Sequence, residues 1–578
     1  MTNEEIAAIF AEMADIMEIL GADPFRINSY RKVARVLAET TEDTAALAAA
    51  GKLQSLPGVG KGAAGRIEEI LKTGRLEQHE DLRRRVPAGL LELLKVQGLG
   101  PKTAAKLWKQ AGVTSIQQLA EALSSDRARL EAVEGLGAKK LDQIAEALAF
   151  AAGAARRIRL DEAEAIATRL RAAVEASKKP KRVVVVGSLR RRRETIGDID
   201  ILCQAGQRKA GAIIAAFTAA DAVTKVLAKG STKGSVIVAG GTQVDLRVVP
   251  AKSFGAAMQY FTGSKEHNIA LREIAQRAKL KLNEYGLFAE SGKQVAGKDE
   301  EGIYRALGLT WVPPELREDR GELAAAADGK LPELVRLEDI RGDLHMHTNA
   351  SDGRSSLEEM IEACRAMGYQ YMAITDHSKS QIQANGLDED RLAEQVRAIR
   401  AAAKKYKDIV VLAGIEVDIL KDGRLDFSDD VLAELDFVTA SPHSALSQRR
   451  PEATRRLIKA AENPHVDVIG HPTGRLINRR PGMEIDIVKL AQAAAANDTA
   501  LEINAHPWRL DLRDVHVRAA IEAGAKLLIC TDAHEANPAG DLALMRFGVD
   551  TARRGWATAA DVINTYPPAK LKKWLARK

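Results

Sequence analysis

Cysteine is scarce in this chain: Cys203, Cys364 and Cys530 are the only three among 578 residues. They are too few and too widely spaced for a disulfide framework or a cysteine-based zinc site, and they fit a reducing compartment. Aromatic residues make up only 4%, so the cores must rest on Ala, Leu, Val and Ile, which favours helix-rich domains. No apolar run reaches the ~18 residues that a membrane span needs. The acidic, amphipathic start MTNEEIAAIFAEMADIMEIL lacks the basic head and apolar block of a signal peptide. A cytoplasmic protein with no membrane partner is expected. Histidine is almost missing from the first 340 residues, where only His79 and His267 occur, while the other nine fall between His345 and His534. That asymmetry points to metal chemistry confined to a C-terminal domain.

What is present is a globular balance, 46% hydrophobic and 28% charged, with length for roughly three to five domains. A net charge of +6 permits a polyanionic partner. Residues 1–155 read as short helices punctuated by glycine. LPGVGKGAAGRIEEIL (56–71), VQGLGPKTAAKLW (96–108) and VEGLGAKKLDQIAEAL (133–148) repeat an apolar residue, a Gly-x-Gly turn and an amphipathic helix. One such turn would be an ordinary corner. Three copies resemble helix-hairpin-helix motifs, in which Gly58 and Gly60, Gly98 and Gly100, and Gly135 and Gly137 let backbone N–H groups meet a DNA phosphate without reading sequence.

The character changes near residue 180. RVVVV (182–186) predicts a buried strand, and GDIDIL predicts an alternating one. Asp198 and Asp200 share one face of it, about 6.5–7 Å apart. Two carboxylates so close need a cation between them. Asp245, in VDLRVV, completes a three-carboxylate site if its strand pairs alongside. Hard oxygen donors suit Mg²⁺, with Mn²⁺ as the other option. Gly187-Ser188 after the buried strand offers an N–H and a hydroxyl to a phosphate, and the arginines 190–193 add positive charge beside it.

Gly-Ser, eight residues, Gly-Asp-Ile-Asp and a later Val-Asp form the nucleotidyltransferase pattern, and YFTGSKEHNIALR (260–272) resembles the nucleotide-selecting segment of family X DNA polymerases. The resemblance implies that Asp198, Asp200 and Asp245 are the catalytic metal triad, with Asp245 facing the primer hydroxyl. It puts Gly187, Ser188 and Arg191 at the triphosphate, Tyr260 and Phe261 by the sugar, and Asn268 and Arg272 near the nascent pair and template. FRINSYRKVARVL (25–37) resembles the family's 5′-phosphate-binding helix, with Arg26 and Tyr30 as contacts. Arg66 stands where the family has a Schiff-base lysine. Arginine stays protonated and is a poor imine former, so 5′-phosphate binding is expected and lyase chemistry is not.

In the C-terminal region the motifs DLHMHTNASDG, ITDHS, GIEVD, SPHS, GHPTGR and CTDAH mostly follow apolar runs. Ligands at the C-terminal ends of several strands converge at one end of a barrel. The set is His345, His347, Asp352, His377, Glu416, His443, His471, Asp532 and His534. Mixed imidazole and carboxylate donors suit two or three Mn²⁺, Zn²⁺ or Fe²⁺ ions, with Glu416 as a bridge. Arg475 is a candidate for a substrate phosphate and His506 for a substrate contact, whereas His465 and His516 have no assigned role. The pattern resembles the PHP (polymerase and histidinol phosphatase) family, which implies a distorted (β/α)7 barrel and phosphoesterase chemistry.

The expected architecture is a multidomain α/β chain. It has helix-hairpin-helix domains at 1–85 and 86–155, a mixed-sheet palm at 156–250 and a small thumb at 251–316. A linker at 317–335 leads to the PHP barrel at 336–578. The resemblance implies a monomeric, cytoplasmic, nucleoid-associated repair polymerase that fills short gapped or nicked duplexes from dNTPs. It also implies a barrel acting as a 3′–5′ exonuclease, 3′-phosphatase or abasic-site endonuclease. The alternative is a barrel that serves only as a metal-bound scaffold.

Overall fold

In the computed structural model, which describes residues 1–576 apart from 2, 41–43, 95, 97–98, 139, 143, 146–156 and 178, the Gly-x-Gly hairpins close in one shared way. Val59, Leu99 and Leu136 each donate a backbone N–H to the apolar residue three positions earlier, Leu56, Val96 and Val133. All six of these side chains are buried. Helices then start on Gly60 and Gly100, and neither start has a side-chain cap. Their first N–H groups therefore stay available at exposed turns. Gly58 and Gly135 have φ of +83° and +80°, which only glycine adopts without strain. Gly98 lies outside the described residues. One apolar core runs from Ile6 to Ile144, so the helical domains expected at 1–85 and 86–155 share it.

The chain forms two compact units, Met1–Arg156 and Arg157–Lys578. The second begins with a short pair, β1 (Ile158–Arg159) and β3 (Thr195–Ile196). Next to it is a five-stranded mixed sheet of β2 (Arg182–Val186), β4 (Asp198–Gln204), β5 (Val223–Lys229), β6 (Lys233–Val238) and β7 (Gln243–Val249). Its order is β2-β4-β7-β6-β5, and only β4 and β7 run parallel. The β-branched run of β2 lies antiparallel to β4, and helices Leu160–Ala176 and Gln207–Thr218 cover the sheet with Leu170, Ile213 and Phe217 in the core.

The next part contains helices Phe254–Thr262 and Lys265–Arg277 and an antiparallel sheet of β8 (Leu280–Asn283), β9 (Gly286–Ala289) and β10 (Gln294–Ala296). The segment 317–335, expected to be a linker, is instead packed into this part. Leu323, Ala326 and Leu334 belong to its core. Arg317 is 0% exposed and pairs with Glu300 at 2.7 Å, while Glu322 meets buried His267 at 2.6 Å. The Pro and Gly residues of this stretch flank short helices, and the charges of Arg317 and Glu322 have buried partners.

That pairing gives a stability prediction. Burial pushes the Glu300 carboxyl up, but Arg317 and Arg190 outweigh it and hold the pKa at about 2, below the ordinary 4.5. Its contribution is therefore complete above about pH 4.5 and is lost as pH falls through about 2. Glu300→Gln leaves a buried guanidinium without its carboxylate and is expected to cost about 3–5 kcal/mol at pH 7. Urea unfolding at pH 7 and pH 3 should show the deficit shrinking at low pH; equal stability of variant and wild type at pH 7 would refute the assignment.

The C-terminal part is a seven-stranded parallel sheet in sequential order: β11 (Gly342–Asp343), β12 (Tyr371–Ile374), β13 (Val410–Asp418), β14 (Phe437–Ser441), β15 (Val468–Ile469), β16 (Ala500–Asn504) and β17 (Leu527–Cys530). A parallel bridge between Met346 and Ala533 joins the chain after β11 to the chain after β17 and closes the ring. Helices such as Leu357–Ala366, Glu389–Lys405 and Arg450–Ala461 cross between strands, as a parallel barrel requires. The expected fold class is borne out.

Candidate functional sites

The parallel register of β4 and β7 sets Asp200 beside Asp245 and Asp198 beside Gln243. Residues paired across a parallel ladder face the same side, so the three carboxylates lie on one face. Gly187 follows β2 with φ of +70°, and a Cβ there would sit 2.9 Å from Asp200 Oδ2. Only glycine lets the Gly-Ser turn approach the carboxylate. Asp245 is braced by Lys233 at 2.7 Å and accepts from Gln243 at 3.0 Å. Burial raises its pKa, but the bonds from Lys233, Ser235 and Gln243 outweigh that and hold it low. At Asp200 the pull of Arg247 and Lys233 is the weaker side of the balance. Burial, then Asp198 and Asp245, push its pKa up to about 7. This crowding of oxygen donors is what a bound divalent cation relieves.

Beside the triad opens a cleft of about 620 Å³ that Gly187, Ser188, Arg191, Asp198, Asp200, Tyr260, Phe261, Asn268 and Arg272 all line. YFTGS spans a helix end and a helix start: Gly263 caps Phe254–Thr262, and the Ser264 hydroxyl accepts from His267 N at 3.2 Å. Tyr260 and Phe261 meet edge-on at 5.2 Å. The Asn268 amide is held by Gln259 and by the Tyr260 carbonyl, both at 2.7 Å. Arg157, Arg193 and Lys265 line the cleft as well; Arg193 belongs to the arginine run and Lys265 to the YFTGSKEHNIALR segment, while no motif marks Arg157.

The arginine run does not act as a block of free charge. Arg190 grips Glu300 through two nitrogens, at 2.8 and 2.7 Å. Arg191 pairs with Glu318 at 3.1 Å and also donates to the Thr262 carbonyl. Arg192 reaches Glu164 at 3.1 Å and Asp550 at 2.6 Å, and Arg193 reaches Glu318 at 3.0 Å. The run ties the mixed sheet to the thumb-like part and to the barrel.

In the first unit, Tyr30 and Arg66 share one acceptor, Gln78 Oε1, at 3.2 and 2.6 Å, and the Arg66 guanidinium lies 5.4 Å from the Tyr30 ring centre. Arg26, Gln78 and Arg85 line an adjacent cleft of about 310 Å³. Arg66 therefore stands with the residues expected to meet a 5′-phosphate.

At the C-terminal mouth of the barrel, the nine residues read as ligands gather around Glu416. Its two oxygens lie 2.8–3.6 Å from nitrogens of His345, His347, His377, His443 and His471. Asp532 meets His347 at 3.1 Å, and Asp352 meets His377 at 3.6 Å and His534 at 3.4 Å. Both Glu416 oxygens, His345 Nε2 and His471 Nδ1 are buried without a hydrogen-bond partner. Buried donor atoms left open in this way, on a mixed N/O set, fit divalent transition ions. Burial first, then neighbouring histidines, lower the His347 pKa to about 3. At His345, His443 and His534 burial also lowers the pKa, but the neighbouring carboxylates outweigh it and raise the value instead, so a cation entering the site displaces protons there.

Two further carboxylates orient these ligands and were missed in the sequence. Glu502 on β16 meets His345 Nδ1 at 2.6 Å, and its other oxygen accepts from His471 N at 2.5 Å. Asp418 meets His443 Nδ1 at 2.7 Å. Each holds the far ring nitrogen so that the near one turns inward. Asp418 follows Glu416 at i+2, which was a readable signal; Glu502 in LEIN stands alone. Arg475, read as a phosphate contact, is instead a strut: it pairs with Glu194 of the mixed-sheet part at 2.7 Å and donates to the carbonyls of Arg509 and Leu510. The arginine beside the ligands is Arg509, 3.6 Å from Asp532. His506 takes a bond from Trp508 N at 3.3 Å, and neither it nor His465 nor His516 joins a described ligand cluster.

Known proteins match this layout part by part. Residues 1–76 match the helix-hairpin-helix domain and 90–149 the SAM-like helix-hairpin-helix tandem. Residues 157–243 match the DNA polymerase beta palm, 257–318 its thumb, and 343–506 the PHP domain. The PHP match stops short of Asp532 and His534, which follow β17 in the same ring. Over the barrel alone, the chain is 31% identical across 220 residues to a probable phosphatase of Shewanella halifaxensis, covering 36% of this chain and 84% of the relative. A probable phosphatase of Shewanella pealeana is 32% identical over 209 residues, covering 34% and 79%. Across 580 residues, covering 100% of both chains, it is 39% identical to the DNA polymerase/3′-5′ exonuclease PolX of Bacillus subtilis (strain 168). A match of that extent, on the palm, thumb, hairpins and barrel just described, makes this chain a member of the PolX family, the family X DNA polymerases that carry a C-terminal PHP domain.

Proposed function

We propose that this chain fills short gaps in duplex DNA by template-directed addition from dNTPs and shortens 3′ ends by hydrolysis in its barrel. The observation that carries the first part is the register that sets Asp245 beside Asp200, with Asp198 and Asp200 lining a cleft of nucleotide size. Mg²⁺ or Mn²⁺ held by these three carboxylates supplies Lewis acidity toward the primer hydroxyl and the leaving pyrophosphate. Asp245 faces the primer 3′-hydroxyl and takes its proton. The Gly187 turn and the Ser188 hydroxyl hold the triphosphate, with Arg191 at its side. Tyr260 and Phe261 pack against the sugar, where a 2′-hydroxyl would clash, and Asn268 and Arg272 face the nascent pair and template. The glycine hairpins grip backbone phosphates, while Arg26, Tyr30 and Arg66 take a 5′-phosphate without imine chemistry.

In the barrel, two or three Mn²⁺, Zn²⁺ or Fe²⁺ ions held by the nine ligands supply Lewis acidity and an activated water toward a phosphodiester. Arg509 steadies the phosphate. The likeness of the barrel to probable phosphatases favours 3′-phosphate removal as a second reading of the same site. The division proposed is 1–85 and 86–155 for DNA ends and backbone, 156–250 and 251–316 for nucleotide addition, and 336–578 for hydrolysis. No helix among the described residues is long and apolar enough to cross a membrane, and a monomer acting at the nucleoid suits the proposed role.

A 5′-labelled primer in a one-nucleotide gap, with or without a downstream 5′-phosphate, tests this reading. Extension with dNTPs that is stronger with the 5′-phosphate, and shortening without dNTPs that disappears in His345→Ala/His347→Ala, are expected. Shortening that persists in the histidine variant would leave the barrel a scaffold.

A further inference from the structure

Helix Met545–Arg554 of the barrel turns one face toward the polymerase half. Phe547, Asp550 and Arg554 recur at i, i+3 and i+7, the spacing of one helix face. Phe547 joins the apolar core of the palm, and Asp550 takes Arg192. Arg554 goes further. Its Nη1 donates to the Arg191 backbone carbonyl at 2.6 Å and to Glu318 Oε1 at 3.1 Å. Glu318 Oε1 is also the atom that holds the Arg191 guanidinium, at 3.1 Å. The second nitrogen, Nη2, is anchored on Asp514 at 2.6 Å, and Asp514 also takes Arg320 at 3.0 Å. Arg554, Glu318 and Arg191 are 5%, 6% and 9% exposed, so water does not loosen the arrangement.

From this geometry we infer that Arg554, a residue of the PHP barrel, is a positioning residue of the polymerase's nucleotide cleft, setting Arg191 through its backbone and through Glu318. The inference rests on the reading of Arg191 as a triphosphate contact. Arg191, Arg193 and Arg554 share one carboxylate, so the group carries two net positive charges beside the cleft. Without Arg554, Glu318 falls back on its ion pairs with the two cleft arginines. They lose both charge and placement for a phosphate, and the two losses act in the same direction.

Steady-state extension of a gapped primer by the full chain with Mg²⁺ tests this. Arg554→Met is expected to raise the KM for dNTP about tenfold with kcat within about twofold, the mark of lost uniform binding. Arg554→Lys cannot span Glu318, Asp514 and the Arg191 carbonyl together; it should give a smaller rise and keeps the test alive if the methionine variant does not fold. Glu318→Gln added to Arg554→Met restores the net charge but not the placement and should bring the KM part of the way back down, which a merely structural role would not do. Asp550→Asn, on the same helix face but away from Arg191, should leave the KM unchanged. Arg191→Met separates the two ideas. If it leaves the KM unchanged, Arg191 is no triphosphate contact and both fall. If it raises the KM while both Arg554 variants do not, or if Asp550→Asn raises it equally, the positioning role alone is overturned.

Discussion

Asp200→Asn should abolish nucleotide addition, by about 10³-fold, and leave 3′-end shortening within about twofold of wild type. The side chain keeps its shape and its place beside Asp245 on β4 and β7, so packing is preserved and only charge is removed. A cation ligand at the reacting phosphate is worth several kcal/mol of transition-state stabilisation, and each 1.36 kcal/mol is a factor of ten. A companion effect appears in the wild type. Burial, Asp198 and Asp245 hold the Asp200 pKa at about 7 when no cation is bound. Below that pH a proton competes for the oxygens, and above it the carboxylate is free to take the cation. The Mg²⁺ concentration for half-maximal extension is therefore expected to rise as pH falls from 8 to 6. Extension by Asp200→Asn within about tenfold of wild type would remove the triad from the mechanism.

Glu416→Gln should have the mirror effect, with shortening lost by about 10³-fold and extension preserved. Five imidazole nitrogens crowd the two Glu416 oxygens within 3.6 Å, and no other carboxylate among the described residues has that position. An amide would offer cations one neutral oxygen in place of two anionic ones, because its other arm is a donor. The stability consequence is separate. Ions bound by the folded state alone raise the melting temperature, so a chelator should lower it in the wild type and much less in Glu416→Gln. Unchanged shortening by the variant, or equal chelator sensitivity of the two, would place the ions elsewhere.

Much of this architecture can be read from local spacing, because the interactions that produce it are local. A Gly-x-Gly turn after an apolar residue closes through a bond over three positions, so each hairpin is written within a few residues. Alternation on a strand puts Asp198 with Asp200 on one face before any partner strand is known. Histidines that follow apolar runs mark strand ends in a parallel barrel, and the six chosen on that basis lie with three carboxylates around one centre. The identity of the partners is a different matter. Arg190 finds Glu300 across 110 positions, Arg475 finds Glu194 across 281, and Arg192 finds Asp550 across 358. No periodicity connects positions so far apart, so Arg190 and Arg192 look like free charge beside Arg191, and 317–335 looks like a linker. Glu502 is hidden for the same reason: β16 supplies no ligand of its own to mark it, and its role exists only where His345 arrives from β11. By itself, then, the sequence determined which chemical groups the chain carries and which local faces present them. Tertiary structure alone decided which charges are spent on one another and which remain for a phosphate, because desolvation and pairing depend on what burial brings within about 3 Å.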